Sequence, residues 1–210
     1  MKAIRIVPLA EEHLNQTSQL HLREMPKDLA SKMGIRIVRN VFHQGMLVYP
    51  QSIGLVALDG NHVVGFGFAQ IDFAGFSRHQ RKRFLVYYPA VSLALLKKPW
   101  LFFETLSALK YLKLETAFTN LGPLVVEGKY RSLEFSKQNK NSIASMLTST
   151  LFEQIKEKNP NLKVLTMIRP DNLPSIAAVS VGARSQGFSL FKKSRIWFGS
   201  DERIVFKYSL

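Results

Sequence analysis

Apolar and polar residues alternate from Ala3 to Val7, which predicts a first strand. Glu11 and Glu12 then suit a helix start, and that helix runs to about Arg23, with Pro26 as its stop. Leu29, Met33, Ile37 and Val41 recur four apart and predict a second helix over residues 27–43. The apolar run 53–58 and the segment 62–72, joined by Asp59-Gly60-Asn61, read as a hairpin. Gly65 and Gly67 inside its second strand mark a bulge or a close backbone approach.

Residues 78–114 break the pattern. They open with Arg78, Arg81, Lys82 and Arg83. Two apolar helical stretches follow, 84–96 and 100–114, parted by Lys97-Lys98-Pro99. Each is too short to span a bilayer. Residues 117–126 read as a strand. The run from Ser142 to Lys158 is helical, with Ile143, Leu147, Leu151 and Ile155 on one face, and Asn159-Pro160-Asn161 ends it. A buried strand over 162–168 follows, then a short helix over 172–181 with Asn172 as its cap. Residues 188–210 read as one or two strands with a turn at Gly199-Ser200-Asp201-Glu202. With no repeat and no Gly/Ser linker, the simplest architecture is a single α/β (α+β) domain with a mixed, mostly antiparallel central sheet flanked by helices.

The composition, 46% hydrophobic and 21% charged over 210 residues, is globular. The formal charge of +14 is unusual and draws anions over long range. Nucleic acid, anionic lipid and phosphorylated small molecules are all candidates. No zinc finger, aromatic RNA-binding signature or helix-turn-helix accompanies the charge. The absence of cysteine excludes disulfides and thiolate sites. The five histidines are scattered, so no metal is expected. The first residues do not read as a signal peptide, and a cytoplasmic protein is the default expectation.

One place concentrates the positive charge. Arg131, Lys137 and Lys140 precede the helix that begins near Ser142, and its first turn, Ser142-Ile143-Ala144-Ser145, carries no acid. Cations beside the positive end of a helix dipole are unfavourable unless an anion sits there on the free N–H groups. The pattern predicts an anion site for a phosphate; a solvated basic turn is the alternative.

The order of elements resembles the GNAT superfamily of acyl-CoA N-acyltransferases over nearly the whole chain. Val63-Val64-Gly65-Phe66 looks like the family's third strand. Val126-Glu127-Gly128-Lys129-Tyr130-Arg131 is similar to its V-x-P-x-Y-R segment, with Gly128 where proline is usual. Asp171-Asn172-Leu173-Pro174-Ser175-Ile176 resembles the turn before its last core helix. The resemblance implies acetyl-CoA as co-substrate, with pantetheine along Leu124, Val125 and Val126. It assigns the diphosphate to Arg131, Lys137, Lys140, Asn141, Ser142, Ile143 and Ala144, and adds Asn172 and Ser175 to the cofactor site. The family's loop reads roughly R/Q-x-x-G-x-G/A. Here Ser142 replaces the first glycine, residues 132–138 look like an insertion, and no tyrosine follows the Asn turn.

That leaves Ser180 as the nearby hydroxyl for the departing thiolate, with Glu115 as the favoured base. Glu24, Asp28 and Asn120 are expected on the acceptor side. Residues 78–115 form a basic, apolar helical insert whose Tyr87, Tyr88, Trp100, Phe102 and Phe103 either line an acceptor pocket, form core or dock on an anionic membrane. The expected function is transfer of an acetyl or similar group to an amine of a small molecule or amino sugar. The alternatives are a catalytically impaired binding module of the same fold and a basic membrane-surface or nucleic-acid-binding protein.

Overall fold

The computed structural model describes residues 3–105, 118–132, 141–158, 161, 163–198 and 201–210. Seven strands form one sheet: β1 Arg5–Pro8, β2 Ser52–Asp59, β3 His62–Gln70, β4 Thr119–Val126, β5 Val164–Ile168, β6 Ser189–Phe198 and β7 Asp201–Ser209. Their order is β1-β2-β3-β4-β5-β7-β6. Every pair is antiparallel except β4–β5. This is the mixed, mostly antiparallel sheet that the strand patterns predict.

Helices cover both faces. On one lie α6 (Ile143–Lys158) and α7 (Leu173–Ser185). The α6 stripe of Ile143, Leu147, Leu151 and Ile155 is almost wholly buried against the sheet. Each such side chain contributes about 1.5–3 kcal/mol by leaving water. Gly65 and Gly67 of β3 make room for it. A Cβ on Gly65 would stand 3.2 Å from Ile143, and one on Gly67 would stand 3.0 Å from Leu151. The two glycines are thus sites of close approach, and β3 also carries register shifts against both neighbours.

The other face carries α1 (Leu14–Glu24), α3 (residues 35–48) and α4 (Phe73–Val86), packed over Phe66 and Phe68. The expected single helix over 27–43 is instead two pieces. α2 (Leu29–Met33), capped by Asp28, stops at Gly34, whose φ of 101° no helix accommodates. α3 then runs to Val48 through a π-helical turn at Val38–His43. α4 begins at Phe73 on an Asp72 cap, so the basic residues 78–83 lie within a helix rather than ahead of one. α5 (Tyr88–Lys97) follows a break at Tyr87 and packs on α2 and α3 through Val91. A helical stretch over 101–105 follows; the rest of the segment expected to be helical to 114 lies outside the described residues.

Candidate active site

The parallel β4–β5 ladder has only three pairs: Thr119–Val164, Asn120–Leu165 and Leu121–Thr166. Pro123 cannot donate to a ladder, and β4 carries an extra residue between Leu121 and Leu124. Beyond Leu121 the two strands part, while β4 stays paired to β3 through Leu124, Val125 and Val126. The result is an open V in the middle of the sheet.

Main-chain direction along β4 follows from its bonds. The N–H of Glu127 donates to Val64 O on β3 (2.8 Å). Alternation then turns the groups of Val125 towards β3 and those of Leu124 and Val126 into the V. Val126 O confirms this, because it accepts there from Arg131 Nε at 2.7 Å. Of the three β4 residues expected along a pantetheine arm, Leu124 and Val126 therefore offer their backbone to the V. Val125 offers its own to β3.

The N-terminus of α6 borders the V. Ser142 is its cap, with Oγ accepting from Ser145 N (3.1 Å) and touching Ser145 Oγ (2.9 Å). No described residue accepts from the N–H of Ile143 or Ala144, and Asn141 is exposed beside them. These are the orphan donors that an anion would satisfy. Asn172 caps α7 by accepting from Ser175 N (3.3 Å), so both residues hold that helix start in place. Lys137, Lys140 and Glu115 lie outside the described residues.

Arg131 does not point freely at that helix end. Its Nη2 meets Glu24 Oε2 at 2.7 Å while its Nε holds Val126 O. Glu24 also takes Arg23 Nε (3.1 Å) and Gly128 N (3.4 Å). Arg23 continues to Glu127 (3.1 Å), which accepts from His62 at the same distance. Both carboxylates are only 14% exposed. Glu24 thus ties α1 to the turn after β4 rather than standing open for a substrate. Tyr130 locks the same turn by donating to Asp59 (2.7 Å), and burial together with that carboxylate pushes its hydroxyl pKa up to about 12.

Asp28 caps α2 by accepting from Ala30 N (3.2 Å), with its side chain about one-third exposed. Behind it runs a buried chain of side chains that no local pattern predicts. Asp28 Oδ2 meets His21 Nε2 (3.3 Å), His21 Nδ1 meets His43 Nε2 (3.0 Å), and His43 Nδ1 meets Ser18 Oγ (3.1 Å). The Ser18 hydroxyl donates to Leu14 O at 2.7 Å. With its single proton so committed, Ser18 accepts from His43 Nδ1–H, His43 Nε2 accepts from His21 Nδ1–H, and His21 donates its other proton to Asp28. The arrangement sets buried His21 against Asp28, with His43 behind it. Burial drives the His43 pKa well below the ordinary imidazole value, and the charge on His21 lowers it further. Burial by itself would raise the Asp28 pKa; the hydrogen bond and charge of His21, the Ala30 N–H and the charge of Arg203 on β7 outweigh it, and the net direction is down. The π-helical turn of α3 carries His43 into this chain.

Asn120 sits at the last paired positions before the V and donates to Gln70 Oε1 (2.6 Å). The hydroxyl of Ser180 is engaged with Tyr208, which pairs with Val164 at the closed end of the β4–β5 ladder. Ser180 therefore lies at the paired end of the sheet, away from the V. A separate surface depression of about 630 Å³, between α1 and the β2–β3 turn, adjoins Arg23 and His62 and not the V. Among the described residues no group of three or more potential ligands is placed to hold a metal ion.

No family model matches the sequence, and no curated protein matches it. Solved structures do. A ribosomal-protein-alanine N-acetyltransferase from Brucella melitensis superposes with a TM-score of 0.55 at 17% identity, covering 98% of this chain and 99% of that one. An acetyltransferase of the GNAT family from Streptococcus pneumoniae gives 0.54 at 9%, covering 98% of each. An aminoglycoside 6'-N-acetyltransferase complexed with coenzyme A gives 0.51 at 13%, covering 98% and 96%. At such identities the likeness speaks to architecture, and it runs over nearly the whole of each chain: this chain has the fold of the GNAT acetyltransferases.

Proposed function

We propose that the protein is an acyl-CoA-dependent N-acyltransferase that moves an acetyl or similar group from its coenzyme A thioester to an amine. The observation that carries this reading is the V between β4 and β5. One wall is the backbone of Leu124 and Val126, which has no strand across from it, and the orphan donors of α6 lie at its mouth. An extended amide-bearing arm suits the first wall, and a diphosphate suits the second. Similarity to proteins described as acetyltransferases, one of them with coenzyme A bound, supports the same reading.

The chemistry asks little of side chains. The reacting amine must be neutral and held against the thioester carbon, and the carbonyl oxygen must be polarised as it gains charge. The N–H groups of Leu124 and Val126 face the space where that oxygen would lie. Asp28 keeps its assignment to the acceptor side, as a carboxylate held in place by His21 and the Ala30 N–H. Glu115 keeps its assignment as base, and Lys137 and Lys140 theirs as diphosphate partners. A small-molecule or amino-sugar amine is the acceptor class that this reading carries.

A second reading, an acyl-CoA-binding module without turnover, draws on the engagement of Arg131 by Glu24 and of Ser180 by Tyr208. Calorimetry with acetyl-CoA, followed by a thiol-release assay over a panel of amines, separates the two. Binding with release establishes the transferase. Binding with no release from any amine favours the module. No binding at millimolar ligand refutes both.

A further inference from the structure

We infer that the outer face of α4, α5 and the residues up to Phe103 is a docking surface for an anionic lipid bilayer. Of the sixteen exposed large apolar side chains among the described residues, eight lie between Leu85 and Phe103. Leu85, Val86, Tyr88, Leu96, Trp100 and Phe103 are 57–78% exposed. A soluble surface scatters such side chains singly; a cluster marks a contact. The segment is not apolar for want of a core, because its inner side is already used. Val91 and Leu101 are buried with Met33, Ile37 and Val41 of α2 and α3. The exposed residues are a second, outward face.

Charge selects the partner. From Phe73 to Phe103 the chain has no Asp or Glu and six Lys or Arg. Arg78, Arg81 and Lys82 on α4 and Lys97 and Lys98 at the end of α5 are exposed beside the apolar cluster. A second copy of the chain would bring the same basic rim and the same +14 charge against itself. A bilayer with anionic headgroups meets both features: the apolar side chains enter the boundary of the acyl region and the cations stay with the headgroups. Trp100 and Tyr88 have the amphipathic rings favoured at that depth. No helix of the described residues is long and apolar enough to cross a membrane, so the contact is interfacial.

The test is co-sedimentation of the full chain with vesicles of neutral phosphatidylcholine, alone or with one-third phosphatidylglycerol. Binding to the anionic vesicles is expected to be at least about tenfold tighter, and to fall severalfold in high salt. Two variants divide the contributions. Arg81→Gln/Lys82→Gln should lose about tenfold or more, from two cations near the surface. Leu96→Ser/Phe103→Ser, at exposed positions and with its fold checked by circular dichroism, should lose a similar factor. In a Trp197→Phe background Trp100 is the sole tryptophan, and its emission should shift to the blue and be quenched by brominated acyl chains. Four results each overturn the inference: no sedimentation with anionic vesicles, equal binding to both lipids, salt-sensitive binding that Leu96→Ser/Phe103→Ser leaves unchanged, or a dimer in light scattering that the same variant dissolves. Acetyl-CoA binding is measured separately and does not bear on any of these outcomes.

Discussion

Gly182→Ala tests whether the contact between α6 and α7 is as close as it stands. A Cβ built on Gly182 would lie 2.5 Å from Thr148 Oγ1, 2.7 Å from Thr148 Cβ and 2.9 Å from the backbone N of Ser149. Only the first of these belongs to a rotatable group, and Thr148 Oγ1 sits among three carbonyl oxygens that its one proton can reach, Ala178 O (2.9 Å), Ala144 O (2.9 Å) and Ser145 O (3.1 Å), so rotating it away from Gly182 gives up the bond to Ala178 on α7. Relief therefore requires the helices to move apart, by something approaching 1 Å. Overpacking of this kind costs about 1–3 kcal/mol. Replacing glycine by alanine inside a helix returns about 1 kcal/mol. The net expectation is a loss of about 0–2 kcal/mol, centred near 1, with a melting temperature lower by about 2–4 °C. Because α6 leads into the mouth of the V, acetyl-CoA affinity should fall as well. Thermal melting and calorimetry on the same preparation read both quantities. A melting temperature that rises, as expected for alanine at an unobstructed helical glycine, would refute the close packing and with it the reason for glycine at this position.

Three further outcomes follow from the site. His43 is held neutral inside the fold with its pKa depressed, so below about pH 6.5 the unfolded chain takes up a proton that the folded one refuses; stability should drop by up to about 1.4 kcal/mol per pH unit as pH falls from there, and His43→Gln should flatten that slope in denaturant titrations at pH 7 and 5. Ser142→Ala removes the α6 cap and should cost about 1 kcal/mol, whereas Ser142→Gly should cost only a few tenths and leave acetyl-CoA binding equal or better; a large loss of affinity with glycine would make the hydroxyl a ligand. Glu24→Gln loosens the clamp on Arg131 and should tighten acetyl-CoA binding severalfold, while Arg131→Ala should weaken it; unchanged affinity in both variants places the guanidinium outside the diphosphate site.

What the sequence disclosed, and what it hid, divides along chain distance. The β2–β3 hairpin and the α6 stripe were legible because their signals are local: a turn dipeptide at Asp59-Gly60 and a four-residue period from Ile143 to Ile155. The break at Gly34 was not, because the same period runs from Leu29 to Val41 straight across it, and a π-helical turn then shifts the phase. The start of α4 was not legible because the cluster Arg78, Arg81, Lys82 and Arg83 masks the helical period ahead of residue 84, although Phe76, Ser77 and Gln80 form the buried face of the same helix. At the site, the start of α6 near Ser142, with its unpartnered N–H groups, could be read from the helical period and the absence of acids in its first turn. The partner that claims Arg131 is Glu24, 107 positions earlier, and His21 reaches His43 across 22. No periodicity encodes such pairs; they exist only once β3 and β4 have brought α1 beside the turn after β4.

That same dependence changes what the basic turn means. Charge alone counts Arg131, Lys137 and Lys140 as three cations awaiting an anion. The structure spends one of them inside the protein: Arg131 neutralises Glu24 and caps the carbonyl of Val126, a group that faces the V and has no strand across from it. Without Arg131 that carbonyl would meet either water or the incoming arm. With it, the polar main chain at the open end of β4 is half satisfied before any ligand arrives, and the N–H groups remain. An arm that enters the V is then read by donors along β4 and by donors at the start of α6, two sets of N–H groups that favour carbonyl and phosphate oxygens alike. On the reading proposed above, selectivity for an acyl-CoA over a simple cationic ligand would rest on backbone geometry fixed by Pro123, the bulge in β4 and the cap at Ser142, and only secondarily on the net positive charge of the chain.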